Sequence, residues 1–71
     1  MMRVIIMMTG LYGMSEKERS YYRQCGTDSH EWVCRKSHAT VLTKEQADII
    51  MADKEAYLKQ YKAKDLKIIK L

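Results

Sequence analysis

"SEKERSYYRQCG", residues 15–26, sets the order of elements along this chain. Ser15 with Glu18 three positions later is a capping-box pattern, in which each side chain satisfies a backbone N–H at a helix start. Glu16 falls in the first turn, where the helix dipole favours negative charge, and Arg19 and Arg23 lie toward the other end. Gly26 is the right residue type for the left-handed position that follows a helix. The stretch predicts a helix of about two turns over residues 16–24, which delivers Cys25 at its C-terminal end.

Outward from that stretch the punctuation is clear. "RVIIMMTG" (3–10) is a continuous apolar run ending in Thr-Gly. Its length and β-branched content suit a strand covered on both faces. "EWVCR" (31–35) reads as a short second strand, "KSH" (36–38) as a turn, and "ATVL" (39–42) as a return to extended chain. "TKEQ" (43–46) is a second capping box, with Thr43 as N-cap and Gln46 reaching back. A helix then runs through "KEQADIIMADKEAYLKQYKA" (44–63), with Ala47, Ile50, Met51, Leu58 and Tyr61 on one face, joined by the aliphatic stem of Lys54. "DLKIIKL" (65–71) closes the chain as a strand with Leu66 and Ile68 on one face. No glycine separates it from the helix, so residues 62–65 must turn with ordinary side chains.

The expected fold is α+β. A three-stranded, mostly antiparallel sheet carries one long helix packed on one face, with a short helix and a Cys/His zinc loop between strands 1 and 2. Residues 1–71 form one domain at this length, and a single core of this size supplies only a few kcal/mol, so a staple is welcome. Thirteen Lys/Arg against nine Asp/Glu give a net charge of +4, spread along the chain. That balance argues against an acidic mimic of DNA and permits contact with nucleic acid without requiring it. The opening apolar run is too short for a signal peptide or a membrane span, and two cysteines do not make a secreted disulfide scaffold. The expectation is the cytoplasm of a bacterial host, with no membrane partner.

"CGTDSHEWVCRKSH" (25–38) holds every cysteine and histidine of the chain. Cys25, His30, Cys34 and His38 offer the thiolate and imidazole donors of a tetrahedral zinc site. In one straight strand Cys34 and His38 would sit about 13 Å apart, from a rise of roughly 3.3 Å per residue. Zinc binding therefore predicts a break at Lys36–Ser37. A structural zinc, no metal at all, and a Cys25–Cys34 disulfide all stay open. With four protein ligands the site would be closed to catalysis, and no "H-E-x-x-H" is present. No Ser/His/Asp set, phosphate-cradling glycine loop or apolar carboxylate pair accompanies it, so no enzyme is expected.

Arg19, Tyr22 and Arg23 interleave basic and aromatic side chains that could hold phosphates and stack bases. The commoner alternative is that Tyr22 packs in the core and the arginines stay in water. Arg35 and Lys36 could extend the same basic face, or simply solubilise a turn. Trp32, the single tryptophan, is either core or an interface anchor.

The opening strand, the entry Leu42-Thr43-x-Glu45-x-Ala47 and the exit Leu66-x-Ile68-Ile69-x-Leu71 resemble many small phage and prophage proteins. Among these are anti-CRISPR inhibitors of Cas9, a few of which carry zinc-binding Cys/His insertions like the 25–38 segment. The resemblance covers about half the chain. It implies a structural zinc and a protein partner, a Cas9-type effector whose DNA loading or activation would be impeded. Cas9-type effectors hold their heteroduplex in a positive channel, so a basic inhibitor would bind an acidic or apolar patch instead. The competing expectation is a zinc-stabilised module of a phage or mobile element that binds nucleic acid.

Overall fold

The computed structural model describes residues 2–71, so Met1, the first residue of the expected domain, lies outside the described residues. The apolar run forms strand β1 (Arg3–Thr9), which becomes the middle of the sheet. Strand β5 (Asp65–Lys70) pairs antiparallel with β1 from Val4 to Thr9 and so fills one of its two edges. The other edge is shared: β2 (Arg19–Cys25) pairs with Met7–Thr9, and β4 (Leu42–Thr43) with Arg3 and Val4. Strand β3 (Ser29–Val33) completes the sheet outside β2. Alternate β1 residues face opposite sides. Val4, Ile6 and Met8 belong to the larger core under the helices, and Ile5 and Met7 to a smaller cluster with Tyr21 on the other face. Burial on both faces explains why β1 reads as an unbroken apolar run.

The architecture is α+β with an antiparallel sheet, as expected, but the sheet has five strands, not three. The main reason is residues 15–26. The Ser15 side chain accepts from the Lys17 N–H at 3.2 Å, and the Ser15 carbonyl accepts from the Glu18 N–H at 2.9 Å. This makes a tight turn where a helix start was expected. From Arg19 the chain is extended, and it buries Tyr21 and Tyr22 on opposite faces of the sheet. A two-turn helix could not bury two adjacent tyrosines on opposite sides, and so short a helix has little stability of its own. Gly26 does adopt the left-handed conformation (φ 76°), but in the β2–β3 hairpin.

The second strand also shifts. It spans Ser29–Val33, so Cys34 and Arg35 lie beyond it, and a 3-10 turn at Lys36–His38 breaks the extended path. The 44–63 helix is two: α1 (Lys44–Ala52) and α2 (Lys54–Gln60), separated at Asp53 (φ −100°, ψ 22°). Aspartate is a poor residue for a helix interior because its side chain competes for nearby backbone. The break lets α2 place Tyr57, Leu58 and Tyr61 against the core as a separate unit. The second capping box forms in both directions, with the Gln46 N–H donating to Thr43 Oγ1 at 3.2 Å and the Thr43 N–H to Gln46 Oε1 at 3.0 Å. The glycine-free turn into β5 forces Lys62 into the left-handed region, φ 50°.

Asp65 ties α2 to β5. Lys54 Nζ lies 3.0 Å from Asp65 Oδ1, which also accepts the Leu66 N–H at 2.8 Å. The Lys54 hydrogen bond, then that backbone donor, hold the Asp65 carboxyl below its ordinary pKa. A lowered folded pKa gives stability that is present above the unfolded value, near 3.9, and lost as pH falls through the folded one. The two side chains are 40% and 37% exposed, so solvent screening limits the pair to less than about 1 kcal/mol. Melting curves of the wild type and Asp65→Asn are expected to differ at neutral pH and to converge as pH falls through the lowered pKa of Asp65.

Candidate functional site

The β2–β3 hairpin distributes the four Cys/His residues. Cys25 is opposite Ser29 and His30 opposite Gln24. Strand alternation sends Tyr22 and Gln24 to the helix side and Tyr21, Arg23 and Cys25 to the other. His30 follows the first set. Its ring stacks on Tyr22 with centroids 5.2 Å apart, and its Nε2 shares a hydrogen bond with the Tyr61 hydroxyl at 3.1 Å. Cys25 stands with the Arg23–Glu31 ion pair, whose closest atoms are 3.6 Å apart. Lost hydration first, then the Glu31 carboxylate, push the Cys25 thiol above its ordinary pKa, against the pull of Arg23. A raised thiol pKa opposes the thiolate form that binds metal. Cys34 and His38 are exposed around the 3-10 turn.

The hairpin therefore sets Cys25 and His30 on opposite faces, and no group of three or more His, Cys, Asp or Glu gathers as a metal site among the described residues. As arranged, the four residues do not fit a tetrahedral zinc. The strand break that zinc would need is nonetheless present. Both cysteines are free thiols.

Tyr22 and Trp32 pack beneath the helices, cross-strand neighbours with centroids 5.8 Å apart. Trp32 Nε1 is buried without a hydrogen-bond partner. Burial first raises the Tyr22 and Tyr57 phenols above their ordinary pKa, keeping them protonated. Arg23 is occupied by Glu31, and Arg35 is exposed at the head of the 3-10 turn. Arg19 and Lys36, from distant parts of the chain, come together on the helix-free face.

With Lys67 they surround a depression of about 350 Å³ floored by Met7, Tyr21 and Ile69. Arg19 and Lys36 make no ion pair among the described residues, while Lys67 reaches Asp65 only at 3.7 Å. Lys36 also borders an adjoining apolar hollow of about 500 Å³, where Ile5, Ala39, Val41 and Leu71 meet. No Asp or Glu among the described residues lines either hollow. No family model, curated protein or solved structure matches this chain.

The sequence patterns overlooked Lys67, which reads as a charge guarding a terminal strand edge. The usable signal was its alternation with Ile69, which places both on one face. Tyr21, not Tyr22, is the aromatic residue beside Arg19. At 9% exposure it offers no open ring for a base to stack on. No helix among the described residues is long and apolar enough to cross a membrane.

Proposed function

We propose that the chain is a non-catalytic binding module whose helix-free sheet face grips an acidic protein surface. One observation carries this reading: two unpaired cations and Lys67 ring an apolar floor that continues into a second apolar hollow. An apolar anchor would seat in the hollow, and carboxylates at its flank would meet Arg19 and Lys36. Such a partner supplies charge of the opposite sign and an apolar side chain to match this face's apolar floor.

The phage-protein likeness suggests the narrowest form of this proposal, an inhibitor that binds a Cas9-type effector. A DNA-cleavage assay with excess protein tests it. Slowed cleavage by the wild type, restored when Arg19 and Lys36 are both replaced by glutamate, supports the proposal. Unimpeded cleavage removes the Cas9 form. The nucleic-acid reading is separated by salt, because phosphate contacts weaken steeply with ionic strength. Tight, steeply salt-dependent binding to single-stranded DNA would favour it.

Structural zinc on Cys25, His30, Cys34 and His38 remains a second proposal, supported by the turn at Lys36–His38 that lets Cys34 and His38 approach. It requires His30 to leave its aromatic neighbours and the hairpin to re-form. One equivalent of zinc by plasma mass spectrometry, lost in each alanine variant, would support it. No metal at any stoichiometry would end it.

A further inference from the structure

Tyr12 is held where tyrosine does not settle by itself. Its φ of 52° and ψ of 36° lie in the left-handed region that penalises a Cβ, and the residue is 65% exposed. The loop is clipped to the end of α2. The Tyr12 N–H donates to the Tyr61 carbonyl at 2.9 Å, and the Gly13 N–H to the Lys62 carbonyl at 3.2 Å. Lys62 is the other left-handed non-glycine residue among the described residues. Both backbone outliers thus meet at one junction, and stored strain of this kind clusters at ligand sites.

The junction presents aromatic walls. Tyr12 stands edge-on to Tyr61 at 63° with centroids 6.3 Å apart, and Trp32 meets Tyr61 at 68° and 5.9 Å. The three rings, with Leu11, His30 and Glu31, line a hollow of about 250 Å³. The His30–Tyr61 hydrogen bond fixes the back wall. Ring faces carry partial negative charge and attract cations, most strongly where several surround one group.

We propose that Tyr12, Trp32 and Tyr61 form an aromatic cage for a methylated ammonium group, carried by a partner's lysine or by a free choline-type cation. The cage lies on the helix side, away from the cationic groove, and stands or falls independently of the binding function proposed above.

Trp32 is the only tryptophan, so its fluorescence reports the site directly. The full chain would be titrated with choline chloride, with a trimethyllysine peptide, with sodium chloride at matched ionic strength, and with uncharged 3,3-dimethylbutan-1-ol. Saturable quenching by either methylated cation, absent with sodium chloride and at least tenfold weaker with the neutral alcohol, is expected. The tighter of the two cations identifies the source. Tyr12→Ala is expected to weaken binding at least tenfold. Tyr12→Gly should do the same while melting no lower than the wild type, because glycine accepts the left-handed backbone. The proposal is overturned by equal binding of the alcohol, by unchanged affinity in Tyr12→Ala, or by no saturable signal.

Discussion

Ile6→Ala lowers the free energy of unfolding by about 2–5 kcal/mol, the usual loss when a buried isoleucine is truncated. Ile6 is fully buried in the middle of β1, paired with Ile68 across the β5 ladder and clustered with Val4, Met8, Leu66 and Ala47. β5 hydrogen-bonds along β1 from Val4 to Thr9, so the strand cannot sink into the space left behind. At roughly 0.05–0.15 kcal/mol per residue, a chain of this length holds only about 4–11 kcal/mol in total. The variant is therefore expected to be largely unfolded at moderate urea concentrations where the wild type is folded. Ile49→Ala is the control. Ile49 is 72% exposed on α1, and alanine is the better helix former, so its stability should move by no more than about 0.5 kcal/mol. Equal urea midpoints for the two variants would show that the core is not centred on β1.

Gly10→Ala is expected to cost about 2–3 kcal/mol, combining a left-handed penalty of about 1–2 kcal/mol with a steric displacement. Gly10 has φ 68°, and an added Cβ would lie 2.6 Å from Lys64 Cγ and 2.8 Å from Cδ. The Lys64 side chain can swing away, but its backbone is fixed, with its N–H donating to the Thr9 carbonyl at 2.8 Å. Gly26 supplies the comparison. It has a similar φ of 76°, but nothing lies within 4 Å of an added Cβ, so Gly26→Ala should cost only the backbone penalty, about 1–2 kcal/mol. Urea midpoints for the two variants check the ranking. A smaller loss at Gly10 than at Gly26 would mean that Lys64 moves freely and that the 10–13 loop is not tightly clipped to the turn before β5. Because Gly10 begins the loop that carries Tyr12, Gly10→Ala should also weaken methylammonium binding.

Where a pattern closes within a few residues, it was readable from the chain. Thr43 and Gln46 satisfy one another's backbone across three positions, and both bonds form. Leu66 and Ile68 face the helices, as their spacing required. The turn expected at Lys36–Ser37 is present as a 3-10 turn over Lys36–His38, although the strand before it ends at Val33 and not at Arg35. Ser15 and Glu18 show the limit of such reasoning. The same serine that can cap a helix can close a tight turn, and what lay downstream chose between them. Tyr21 and Tyr22 gain burial only in an extended chain, and that gain exists only once β1 and β3 are there to flank them.

The candidate sites follow the same division. That Arg19 and Lys36 are basic and near aromatic residues was visible, but their meeting with Lys67 over Met7 and Ile69 depends on β5 pairing with β1. Cys25 and His30 are close in sequence, yet the hairpin register assigns them opposite faces. Tyr12 carried no signal beyond glycines two before and one after it. Its strained backbone comes from bonds to Tyr61 and Lys62, some fifty residues away. The sequence by itself determined the strands and helix starts whose stabilising contacts are local, together with the chemical types on offer. Strand partners, the face each side chain occupies and the shape of both hollows were decided by tertiary structure, because register and burial are set by distant residues whose contacts exist only in the assembled sheet.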